Sequence, residues 1–112
     1  MVWGMDINLT PGMVRILQQF LQDPDHPRFG MEIIRNARVS SGSLYPALAR
    51  LERAGWIVGE TEDIDPSAEG RPARRYYTMT AEGARASRLD LAALSDSARP
   101  PVSPPGVEPK GI

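Results

Sequence analysis

At 112 residues the chain has room for one domain and not two, and its composition, 41% hydrophobic and 24% charged, is that of an ordinary soluble fold. It contains no cysteine, which excludes disulfides and thiolate metal sites, and no apolar run approaches the roughly 20 residues that span a bilayer, so no membrane partner is expected. The formal net charge of −1 argues against a protein that grips nucleic acid by basic excess alone.

The opening MVWGMDINLT has neither the basic flank nor the apolar stretch of a secretory leader, so the expected location is the cytoplasm. Thr10-Pro11 then reads as an N-cap followed by proline at the first helical position. Met13, Ile16, Leu17, Phe20 and Leu21 recur at helical spacing and give one apolar face. Asp23-Pro24 ends that helix, and DPDHPR is a turn-rich connector. A shorter helix is expected from about Gly30 to Ala37, burying Met31, Ile33 and Ile34. Serine in the run 40–43 caps a third helix, whose Leu44, Leu48 and Leu51 form a core stripe with Ala47 and Ala54 beside it. Pro46 falls near its first turn, where the lost hydrogen bond matters less, and Gly55 is a natural stop.

After Gly55 the period changes. WIVGETE and RRYYTMT read as strands, with one of Tyr76 and Tyr77 facing the core, and DIDPSAEGRPA between them reads as a long hairpin loop. Thr80 caps a last helix from Ala81 to about Asp96. The tail beyond it is rich in proline and is expected to be disordered, so that little after Ser95 joins a core. The expected fold is mostly α with a small β-hairpin (α+β): a winged helix-turn-helix over residues 1–80, one C-terminal dimerisation helix over 81–96, and a disordered tail over 97–112. A core drawn from roughly 90 residues is thin, which favours a homodimer.

A helix-turn-helix places the N-terminal residues of its recognition helix against base edges in the major groove. In this chain Ser41, Gly42, Ser43, Tyr45 and Pro46 face away from the leucine stripe, and Arg50 lies outward a turn later. Twelve of the thirteen basic residues are arginine, and Arg71, Arg74 and Arg75 cluster beside Gly70 and Pro72 within the six residues from Gly70 to Arg75, in the wing. Arginine's planar fork suits phosphate and guanine edges. Glu60, Glu62, Asp63, Asp65 and Glu69 line the approach to the wing and are expected to repel phosphate. Arg35, Arg38 and Arg53 read as surface ion pairs with Glu32 or Glu52. His26 stands without a partner, no metal-ligand spacing occurs, and no carboxylates pair for acid–base work, so neither catalysis nor a cofactor is expected.

SSGSLYPALARLERAGWI followed by EGRPARRYYTMTAEG resembles the winged helix of PadR-type transcriptional regulators. FGMEII resembles that family's tyrosine-glycine-tyrosine-glutamate-leucine signature, with Phe29 and Met31 in the two tyrosine positions. The resemblance runs roughly from Leu9 to Arg88 and implies a dimeric repressor that binds near-palindromic double-stranded DNA. It implies helix contacts from Ser41, Ser43, Tyr45 and Arg50, and wing contacts from Gly70, Arg71, Arg74 and Arg75. It also implies dimerisation through the last helix, where Ala84, Leu91 and Leu94 form the stripe, together with Ser87 or Arg88. That helix is followed by no second one, as in the compact branch of the family, and carries no aromatic residue, which argues against an aromatic ligand pocket between subunits. Two other readings stand beside this one: a winged helix reused to hold another protein, and a sensor with a small-molecule effector at the dimer interface.

Overall fold

The structure is a computed structural model that describes residues 7–98. Residues 1–6 and the tail after Ala98, expected to be disordered, lie outside the described residues. The helix α1 (Pro11–Gln22) opens as expected: the Met13 amide donates to Thr10 Oγ1 at 3.1 Å, and Pro11 takes a first-turn position where no N–H is needed. Its Met13, Ile16, Leu17 and Phe20 are buried. The strand β1 is two residues long, Arg28–Phe29, and runs directly into α2 (Gly30–Ala37). The helix α3 (Ser41–Arg53) follows a short turn and is capped by Ser40, whose Oγ accepts from the Ser43 amide at 3.1 Å.

The strands β2 (Ile57–Thr61) and β3 (Arg75–Met79) form the antiparallel hairpin, and α4 (Pro66–Glu69) is a single turn inside its loop. Asp65-Pro66 repeats the signal of Thr10-Pro11, with Asp65 Oδ1 accepting from the Ser67 amide at 3.1 Å. The sheet has three strands in the order β1-β3-β2, where the sequence suggested two; Arg28 pairs with Tyr77 and Phe29 with Tyr76. Two residues are too few to show a period, so β1 exists through its partner. Last comes α5 (Ala81–Ala98), two residues longer than expected.

One core joins these pieces. Ile16, Leu17 and Phe20 meet Ile33 of α2, Leu44, Leu48 and Leu51 of α3, and Trp56, Ile57, Tyr77 and Met79 of the sheet. Each such side chain withdrawn from water contributes about 1.5–3 kcal/mol. Met31 departs from expectation: it is 61% exposed. With Gly30, Ile33 and Ala37 turned inward, helical spacing carries Met31 to the opposite side of α2.

The helix α5 is fastened at its start. Thr80 Oγ1 accepts from the Gly83 amide at 2.9 Å and donates to the Gly55 carbonyl at 2.8 Å. A side chain at Gly83 would run into the Trp56 backbone, so the contact requires glycine there. Ala84 and Ser87 are buried against the chain's own core, Leu91 is half-buried, and Leu94 is 38% exposed. One stripe thus begins under the domain and emerges from it.

Candidate nucleic-acid interface

The leucines of α3 face inward and fix what faces out. Leu44, Leu48 and Leu51 are buried, while Ser41, Gly42, Ser43, Tyr45, Pro46, Ala49 and Arg50 are exposed. Small residues at Gly42, Pro46 and Ala49 form the crest of this surface. Tyr45 and Glu52 lie along one flank, and Ser43 and Arg50 along the other, as helical spacing requires. Pro46 is the sixth residue of the helix, so the Gly42 carbonyl lacks its helical donor on the exposed side.

Two predicted contacts are tied to the fold. Ser43 Oγ is 3.2 Å from Ser40 Oγ, at the cap. The Tyr45 ring lies over the start of α2, so close that a Cβ at Gly30 would be 2.5 Å from its hydroxyl oxygen. Glycine at position 30 thus sets where the ring lies, and Tyr45 is still 46% exposed.

The wing comprises the loop between β2 and β3 together with Arg75, the first residue of β3. Gly70 adopts φ +71° where α4 ends, a left-handed conformation suited to glycine. The three arginines of this region do not stand free. Arg71 Nη1 donates to Glu62 Oε1 at 2.7 Å, and the Arg74 amide donates to the same oxygen at 2.8 Å. The Arg74 guanidinium is 3.4 Å from Glu62 and 4.7 Å from the Phe29 ring centre. Arg75 pairs with Glu52 of α3 at 3.1 Å. The Arg71 hydrogen bond and the Arg74 amide hold the Glu62 carboxyl at about 2, well below its ordinary value of 4.5. Glu62, expected only to repel phosphate, is the carboxylate that organises the wing. Pairings across nine and twelve residues of loop leave no periodic trace in a sequence.

The other acids also pair differently from expectation. Glu32 binds Arg28 at 3.0 Å, and Glu52 is taken by Arg75, so Arg35, Arg38 and Arg53 form no ion pair among the described residues. On the flank of α3 away from Tyr45, an open groove of about 720 Å³ lies between α3, the start of α1 and the α2–α3 turn. Arg15, Arg38 and Arg50 line it. No group of acids and histidines that could hold a metal occurs among the described residues, and no helix among them is long and apolar enough to cross a membrane.

Three helices, with the third presenting an exposed N-terminal half, followed by a sheet and its loop, make a winged helix-turn-helix. Residues 21–89 match the transcriptional regulator PadR-like family, and the chain belongs to that family. The chain is 47% identical over 62 residues to the transcriptional regulator Rv3488 of Mycobacterium tuberculosis, a match covering 55% of this chain and 53% of that protein. It therefore spans about half the length of that relative. Overoxidized AbfR bound to DNA, from a protein also solved from Staphylococcus epidermidis, superposes with a TM-score of 0.62 at 26% identity, over 82% of this chain and 61% of that one. A transcriptional regulator from Clostridium thermocellum, Cth-833, gives 0.65 at 23% identity over 87% and 92% of the two chains, a likeness of fold.

Proposed function

We propose that the chain regulates transcription by binding duplex DNA sequence-specifically as a homodimer, and that it acts as a repressor on a near-palindromic operator. The observation that carries this reading is the exposed first half of α3, small at its crest and held from behind by three buried leucines. A major groove admits such a helix. Ser41, Ser43 and Tyr45 then face base edges or sugar, Arg50 faces phosphate or guanine, and Gly70, Arg71, Arg74 and Arg75 approach the backbone. The AbfR structures bound to DNA support the same use of a related fold.

The dimer seam belongs to the emerging half of α5. Ala84 is already covered by its own subunit, so Leu91 and Leu94 carry the contact, with α1 sharing it. Two α3 helices in successive major grooves require half-sites about 10 base pairs, or roughly 34 Å, apart. Binding to the region upstream of the chain's own gene, measured by gel shift at two salt concentrations, tests the reading. Retarded DNA that weakens with salt supports it, and no retardation at low salt overturns it. The internally paired wing favours a second reading, a winged helix that holds another protein, and the same negative result would leave that reading in its place.

A further inference from the structure

The α2–α3 turn contains a residue that the fold holds at a cost. Arg38 adopts φ 57° and ψ 51°, and it is the only non-glycine residue with positive φ among the described residues. A Cβ makes this conformation unfavourable, and glycine adopts it freely. The Arg38 backbone closes α2, its amide donating to the Ile34 carbonyl. Its exposed side chain makes no ion pair or hydrogen bond among the described residues. No described residue uses the guanidinium, and a backbone outlier of this kind points to a use elsewhere.

The surroundings say what that use is. Arg38 lines the groove beside Arg15, Arg50, Ser40, Ser43 and Thr10, and among the described residues no carboxylate lines it. The Arg15 guanidinium is oriented by its Nε, which donates to the Ala37 carbonyl at 2.7 Å. Three cations with hydroxyls between them, and no internal anion, suit a polyanion. The groove flanks α3 on the side away from Glu52, the residue that ties α3 to the wing. A helix in a major groove has a phosphate row on either side. Resting on the function proposed above, we infer that Arg15, Arg38 and Arg50 form a second backbone grip, which takes the phosphates of the strand opposite the wing.

Arg38→Gly separates this role from a structural one, because it removes the charge while relieving the backbone. Binding of wild type and variant to a mixed-sequence duplex a few helical turns long, across a salt series, reads the backbone contacts without needing the operator. The expected result is a melting temperature equal to or above wild type. The dependence of log K on log salt should be shallower by about 0.9 per subunit, and affinity about tenfold lower per subunit near 0.1 M salt. Arg38→Gln, which keeps the strained backbone and loses the charge, should behave alike, and Arg38→Lys should restore most of the slope. Wild-type binding with an unchanged slope in both uncharged variants would overturn the grip and leave the proposed function standing. A wild-type chain without affinity for DNA would overturn the function and the grip with it.

Discussion

The wing and the α1–α3 groove are both rich in arginine, and they hold it in opposite ways. In the wing, Arg71 and Arg74 converge on Glu62, and Arg75 on Glu52. In the groove, Arg15, Arg38 and Arg50 meet no carboxylate among the described residues. Clustering in sequence therefore measures something other than available charge. The wing is shaped by its ion pairs, and an approaching phosphate competes with Glu62 for the charge of Arg71 and Arg74. The groove offers its cations directly. A chain of net charge −1 can thus carry a basic surface that no described carboxylate lines.

Both regions hang on the same anchored helix, so the most disruptive test removes the anchor. Leu48, fully enclosed beneath α3, should cost about 2–5 kcal/mol of stability when replaced by alanine. Chemical denaturation would measure that loss, and DNA binding by groove and wing should fall together. If wing binding survived alone, the two regions would not share a support. The next test compares them directly. Arg71→Ala with Arg74→Ala should flatten the salt dependence of binding by less than the roughly 1.8 per subunit expected of two unpaired cations. Arg38→Gly with Arg50→Ala should approach that value. The reverse order would make the wing the stronger grip.

Local chemistry made much of this fold legible. Thr10-Pro11, the leucine stripe of α3 and Thr80 each announced an element within a few residues, and each cap is made as read. Asp65-Pro66 carried the same signal for α4 and was absorbed into a loop reading because the helix is one turn long. Met31 was misplaced because an eight-residue helix has too few apolar positions to define its inward face. The candidate site divided in the same way. The outward face of α3 followed from the position of its leucines, whereas the choice of partner for each glutamate depended on three-dimensional neighbours. Arg38 had a visible place, at the junction of two helices, but its left-handed backbone is a property of the turn and not of the residue type. Glycine or asparagine there would have announced the turn, and arginine concealed it.

Smaller in effect, Glu62→Gln keeps an acceptor for the Arg74 amide and removes the charge that holds the guanidinium groups. It should tighten binding to mixed-sequence DNA a few-fold and steepen the salt dependence, by up to about 0.9 for each arginine released. Fluorescence anisotropy over a salt series would register the change. Weaker binding would mean that the carboxylate's ordering of the wing outweighs its competition with phosphate.

The smallest effect belongs to protonation of the same carboxylate. Its folded value, about 2, lies below the ordinary 4.5 because Arg71 and the Arg74 amide favour the charged form. A lowered value means that the ionised form is bound more tightly in the folded state, so the wing's contribution to stability is complete above about pH 4.5 and is lost as pH falls toward 2. From pH 7 to pH 5 the wing should therefore not respond to acid. An NMR titration that follows the Glu62 carboxyl carbon should find its midpoint near 2, with the Arg74 amide shifting in step. A midpoint near 4.5 would show that Arg71 and Arg74 spend their time in solvent. In that case the wing would present free cations after all, and the groove would lose its distinction.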